Sequence, residues 1–155
     1  MRIRKFRDSD AVELARLHRG TIRNVNGRDY PKKQIRAWTS KVSAKRFRDS
    51  AKQNTRLVAL EKNQIVGFVD YKNDDLMGLY IHQDHVGKGV GKKLLQRLES
   101  DAYKNGLRVL KCVSTITAHK FYEKNGYKTT KKTKFQMGNQ KLTVYEMKKR
   151  LKAPS

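Results

Sequence analysis

The stretch Leu79-Tyr-Ile-His-Gln-Asp-His-Val-Gly-Lys-Gly-Val-Gly-Lys-Lys-Leu-Leu95 sets Gly87, Gly89 and Gly91 at alternate positions just ahead of an apolar pattern of helical period. Those types at that spacing suit the binding of phosphate. Glycines let backbone N–H groups turn toward an anion without Cβ interference, and a helix N-terminus adds unsatisfied donors and partial positive charge. Lys88, Lys92 and Lys93 reinforce the sign. Spacing narrows the ligand. A Walker loop needs Gly at Val86 and Ser or Thr at Lys93, and a dinucleotide fingerprint starting at Gly87 needs Gly at Lys92. Neither pattern is met, and a flexible surface turn is the alternative that the glycines alone leave open.

Other reactive side chains form no cluster. Cys112 is the single cysteine and lies in an apolar run with no paired histidine implied, which reads as a small buried hydrophobe. His82 and His85, three apart outside a helical pattern, are poor metal ligands, and no Cys/His grouping has zinc spacing. No metal site is expected. Trp38 suits equally a lid over a site and the core of a helix.

The elements around the glycine run follow from periodicity. Arg2 to Phe6 alternates like a half-buried strand, and Asp8-Ser9-Asp10 offers N-caps to an apolar pattern at Val12, Leu14, Ala15, Leu17 and His18. Gly20 to Tyr30 reads as polar loop, Pro31 opens a second helix through Ile35 and Trp38, and Ser43 caps a short third piece around Phe47. Runs at 56–60, 65–69 and 76–81 predict a three-strand antiparallel meander. A long helix from Gly87–Gly91 carries Val90, Leu94, Leu95, Leu98 and Ala102 on one face and stops at Asn105-Gly106. A strand over 107–113, a helix over 117–125 and a hairpin of 128–135 with 142–147, turning at Gly138-Asn139, complete the chain. The order β-α-α-β-β-β-α-β-α-β-β predicts an α+β fold, a mixed sheet flanked by helices, rather than a Rossmann alternation.

The chain has 155 residues, and one domain over 1–155 is expected. No apolar stretch reaches the ~18 residues a membrane span needs, and the basic start leads into no apolar signal segment, so a soluble, cytoplasmic protein is expected. The unusual quantity is charge: 37 Lys+Arg against 14 Asp+Glu, a net +23. Residues 1–50, 51–100 and 101–155 carry +10, +2 and +11. A solvated lysine-rich surface and a surface for a polyanionic partner both account for it.

Val86-Gly-Lys-Gly89-Val-Gly91 resembles the pyrophosphate signature (Arg/Gln)-x-x-Gly-x-(Gly/Ala) of the GNAT superfamily of acetyl-CoA-dependent N-acetyltransferases. Val86 departs from it, leaving the cradle there to backbone and neighbouring groups. The run Ala118-His-Lys-Phe121-Tyr122-Glu-Lys-Asn-Gly126-Tyr127 looks like the family's second signature, Ala-x-x-(Phe)-Tyr-Glu-Lys-x-Gly-Phe. The element order is similar to the GNAT fold over nearly the whole chain.

The resemblance implies that acetyl-CoA is held by Val86, Gly87, Lys88, Gly89, Val90, Gly91 and Lys92, that its pantetheine arm pairs with the backbone of Leu79, Tyr80 and Ile81 between splayed strands, and that Thr115 stands where many members carry an arm-contacting Asn. A primary amine would attack directly in a ternary complex. By the same resemblance Tyr122 contacts the cofactor and is the phenolic acid for the departing thiolate, and either Asp75 or water is the base. The need for a base depends on the amine. At pH 7 a lysine-like amine is neutral in about one molecule in 2,500, an α-amine in about one in ten.

In GNAT folds the helices after the first strand and the final hairpin border the acceptor cleft. Arg23, Arg28, Lys32, Lys33 and Arg36 would then face Lys128, Lys131, Lys132 and Lys134, favouring a neutral or acidic amine, or one carried on RNA or a ribosomal surface. The alternative is a basic nucleic-acid- or ribosome-binding module on a catalytically weak acetyltransferase scaffold, although no RNA-binding motif is present.

Overall fold

The computed structural model describes residues 1–154 and is built on one seven-stranded sheet. Its strands are β1 (Arg2–Lys5), β2 (Thr55–Glu61), β3 (Gln64–Lys72), β4 (Asp75–Ile81), β5 (Val109–Thr115), β6 (Lys128–Met137) and β7 (Gln140–Arg150), in the order β1-β2-β3-β4-β5-β7-β6. Its helices are α1 (Ala11–Asn24), α2 (Lys32–Thr39), α3 (Ala44–Ser50), α4 (Val90–Lys104) and α5 (His119–Lys124). Every strand pair is antiparallel except β4 with β5. The expected α+β order holds, and α3 is the short third piece expected around Phe47; Ser43 caps it by accepting the Arg46 N–H at 3.1 Å.

Strands β2 and β3 of the meander are buried on both faces, which explains their nearly continuous apolar runs. Leu57, Val69, Leu76 and Leu110 face one way and pack against Leu94, Leu95 and Leu98 of α4. Val58, Phe68, Leu142 and Val144 face the other way, against Leu14 and Ile22 of α1, Trp38 of α2 and Phe47 of α3. Gly67 on β3 lets α4 approach, because a Cβ there would meet the side chain of Ile81 at 2.8 Å and that of Leu94 at 3.1 Å. Trp38 is core, not lid: it is buried and meets the Tyr30 ring edge-on at 5.6 Å.

Three local expectations change. Helix α1 does not end near Gly20 but runs to Asn24, because Thr21 and Ile22 continue the buried stripe of Ala11, Leu14 and Ala15. Val12 lies off that stripe and is exposed. The Asp10 carboxylate, expected to cap α1, instead accepts from the Arg7 N–H at 2.8 Å and from both ends of the Arg4 guanidinium, so it fixes β1 to the 3-10 turn over Asp8–Asp10.

Candidate active site

Strands β4 and β5 pair through only two residue pairs, Asp75 with Lys111 and Leu76 with Cys112, and then separate. From that fork opens a cleft of about 480 Å³, lined by Leu79, Tyr80 and Ile81 of β4, Thr115 of β5, Gly87, Gly89 and Gly91 at the start of α4, and Phe121 and Tyr122 of α5. Beyond Leu76 the edge of β4 toward β5 has no strand partner. The Ile81 carbonyl is engaged from above, accepting the Thr21 hydroxyl at 2.7 Å.

At the mouth of the cleft the glycines do what their type allows. Gly87 and Gly89 have φ of +81° and +84°, where only glycine sits without strain. A Cβ at either would find nothing within 4 Å, so conformation, not crowding, requires glycine there. Gly89 is the N-cap of α4 and carries no side chain that could bond the first turn. The Lys93 N–H makes the first intrahelical bond, to Gly89 O at 3.2 Å, leaving the N–H groups of Val90, Gly91 and Lys92 without a helical acceptor. Gly91 serves differently: a Cβ there would press on the Phe121 ring at 3.3 Å. A pyrophosphate fits this arrangement, with unengaged donors at the head of a 15-residue helix and Lys92 and Lys124 in the lining.

Residues 26–151 match the family model for an acetyltransferase (GNAT) domain. The chain belongs to the GNAT acetyltransferases. Among relatives of this GNAT chain, the uncharacterized N-acetyltransferase YafP of Escherichia coli K12 is 23% identical over 136 residues, spanning 88% of this chain and 87% of that protein. A GCN5-related N-acetyltransferase from Rhodopseudomonas palustris has the same fold at a TM-score of 0.93 and 28% identity, covering 97% of this chain and 95% of that one. The PaiA N-acetyltransferase of Thermoplasma acidophilum, solved in complex with coenzyme A, aligns at a TM-score of 0.81 and 23% identity over 96% of this chain and 98% of its own. Acetyl-CoA-dependent N-acetylation is the activity general to the GNAT family.

Most residues expected for the GNAT cofactor surround the cleft: Leu79, Tyr80, Ile81, Val86, Gly87, Gly89, Gly91, Lys92, Thr115 and Tyr122. Val86 is half exposed, its side chain free of the core. Lys88 and Val90 are not in the lining, and the Val90 side chain is buried against α4's own core face. The Thr115 hydroxyl accepts the Ala118 N–H at 3.1 Å, which orders the turn into α5 and leaves its hydrogen for a ligand. His85 lines the cleft beside His82, whose Nδ1 accepts the Asp84 N–H. Among the described residues no group of three or more His, Cys, Asp or Glu side chains is disposed to hold a metal, and no helix is long and apolar enough to cross a membrane.

Tyr122 is buried between Phe121 and Tyr127 with its residue on the cleft wall. Burial drives its phenol well above the ordinary range, with the neighbouring Cys112 and Tyr80 adding to the shift, so the hydroxyl stays protonated. Cys112 points into the α4-side core, and burial pushes its thiol up to about 12.

Asp75 departs from its expected place at the reacting centre. It sits at the closed end of the fork, half exposed, 4.0 Å from the Lys111 ammonium and outside the cleft lining. Asn26 was missed, since the sequence reads as loop there. It is 4% exposed yet lines the cleft, and nothing in its residue type marks it for burial.

Proposed function

We propose that this chain transfers the acetyl group of acetyl-CoA directly to a primary amine in a ternary complex, with Tyr122 as the proton donor. The observation that carries the reading is the head of α4. Gly89 turns left-handed at the mouth of the fork, and three backbone donors stand free where a pyrophosphate would meet them. Bound there, acetyl-CoA supplies a thioester and a thiol leaving group.

The chain's own residues do the rest. The N–H groups of Val90, Gly91 and Lys92 hold the anion, with Lys92 and Lys124 adding charge. The unpaired edge of β4 from Leu79 to Ile81 orients an extended amide-bearing arm in place of the missing strand. Tyr122, kept neutral by its burial, holds a proton for the departing sulfur. With Asp75 outside the cleft lining, water carries the amine's proton away.

Among the described residues lining the cleft there is neither cysteine nor serine, and of its threonines Thr21 donates to the Ile81 carbonyl and Thr115 accepts the Ala118 N–H, an arrangement that fits direct transfer. Initial-rate kinetics with both substrates varied test this. Intersecting lines are expected; parallel lines, or an acetylated protein isolated without amine, would overturn it.

A further inference from the structure

Helices α4 and α5 close one face of the fork, so an amine reaches the thioester from the other. That approach is bordered by Thr21, Val25 and Asn26 at the end of α1 and by Met77 and Val113 on the diverging strands. Met77 and Val113 are 56% and 51% exposed and form an apolar rim. Behind it stands the Tyr80 ring. Two polar atoms of the lining residues are shielded from solvent and unbonded, the Thr117 hydroxyl and Nδ1 of His85; the buried Asn26 also lines the cleft, and its amide takes part in none of the protein's side-chain hydrogen bonds.

Charge in the cleft has one sign. Lys92 and Lys124 are in the lining with His85, Tyr80 and Tyr122, and among the described residues lining it there is no aspartate or glutamate. The carboxylates nearby lie outside. Asp75 is held beside Lys111, Asp29 is exposed on the loop after α1, and Glu146 stands in register between Val113 of β5 and Lys131 of β6.

A cleft of this kind gives an ammonium group no carboxylate counter-ion, and the one side chain of its described lining suited to take the amine's proton is the His85 imidazole. Taking an unpaired cation out of water is strongly unfavourable. The amine must arrive neutral, and neutrality at pH 7 is common only for amines of low pKa: about one α-amine in ten against about one lysine-like amine in 2,500.

We infer that the acceptor is a weakly basic primary amine of the α-amino class, attached beside an apolar group and carrying no second cation. The inference rests on the acetyltransferase reading above and names its substrate. The apolar group lies on Met77 and Val113, and the Asn26 amide, which both donates and accepts, bonds the polar group next to the amine. A polyamine or aminoglycoside, whose recognition calls for carboxylates, is excluded.

The test begins with calorimetric binding of acetyl-CoA, and then measures thiol release at pH 7 with three probes: a mixture of short acidic peptides with free α-amines, Nα-acetyl-lysine, and spermidine. The peptides should give kcat/KM at least about 100-fold above either other probe, following the difference in neutral fraction. Their rate should rise with pH along one limb near pKa ~8, unmoved by Glu146→Gln or Asp29→Asn. Asn26→Ala should raise KM for the peptides about tenfold at unchanged acetyl-CoA affinity. Equal or better turnover of spermidine or Nα-acetyl-lysine overturns the proposal, as does a hundredfold loss in Glu146→Gln, which would reveal a base. Acetyl-CoA binding without release from the peptides also overturns it while leaving the cofactor cradle standing; no acetyl-CoA binding at all overturns both.

Discussion

The Tyr30 hydroxyl donates to the Thr143 carbonyl at 2.6 Å and accepts the Ile116 N–H at 2.9 Å. One phenol thereby ties the loop after α1 to β7 and to the turn that follows β5, the segments that frame the acceptor side. Tyr30→Phe strands both backbone groups, and unsatisfied buried groups are unfavourable by about 1–3 kcal/mol each. Chemical denaturation should show a loss of that order with acetyl-CoA affinity retained. A variant as stable as the parent would show that the phenol is not the tie.

A second tie is ionic. Arg56 is buried, bonded twice to Asp70 and further to the Phe47 carbonyl at 2.8 Å and the Ser50 hydroxyl at 2.7 Å, so that it pins α3 to the sheet. Burial raises the Asp70 carboxyl above its ordinary range in spite of that partner. Removing one member leaves the other charged and desolvated, at a cost of about 3–5 kcal/mol. Asp70→Asn and Arg56→Met should each be destabilised by that amount in urea, and the double variant Arg56→Met/Asp70→Leu by less than the sum. Additive losses would mean that the two side chains act independently.

His18 sets a pH dependence. Its ring lies 4.2 Å from the Tyr80 ring, both nitrogens are sealed from solvent without a partner, and burial, with Arg56 and Arg19 nearby, lowers its pKa from 6.5 to about 3. The folded value lies below the unfolded one, so the unfolded chain takes the proton first. The stability contributed is present above pH ~6.5 and is lost as pH falls toward 3, at up to about 1.4 kcal/mol per pH unit. His18→Phe should flatten the stability curve between pH 6.5 and 4. An unchanged slope assigns the acid sensitivity to other groups.

How much of this was open to reading depends on the range of the interaction. The glycine run announced the left-handed turns at Gly87 and Gly89 because backbone conformation is a local property. The hairpin turning at Gly138-Asn139 and the cap at Ser43 were legible for the same reason. The place of Asp75, opposite Lys111 where β4 and β5 still pair, is not legible locally, because the two strands meet only in the folded sheet. Asn26 carries no sequence mark of burial, and packing puts it inside, whereas His18 already fell in the apolar helical pattern. The tail of α1 was hidden by Gly20, whose low helix propensity is outweighed by the burial of Thr21 and Ile22.

Tyr122→Phe removes one oxygen from a buried wall and nothing else. Turnover should fall by about one to several orders of magnitude with acetyl-CoA affinity unchanged. Because burial holds the phenol far above neutrality, the parent's rate should show no falling limb as pH rises through 9. Full activity in the variant would make Tyr122 packing rather than acid.

The central claim is that the head of α4 holds the pyrophosphate of acetyl-CoA, and calorimetric titration of acetyl-CoA into the parent and Gly89→Glu tests it most directly. A Cβ at position 89 meets nothing within 4 Å, so the variant should fold with modest backbone strain of about 1–2 kcal/mol. It would also place a carboxylate where the anion is bound. Micromolar affinity in the parent and a loss of 100-fold or more in the folded variant are expected. Equal affinity in both, with circular dichroism unchanged, would contradict the assignment of the cradle.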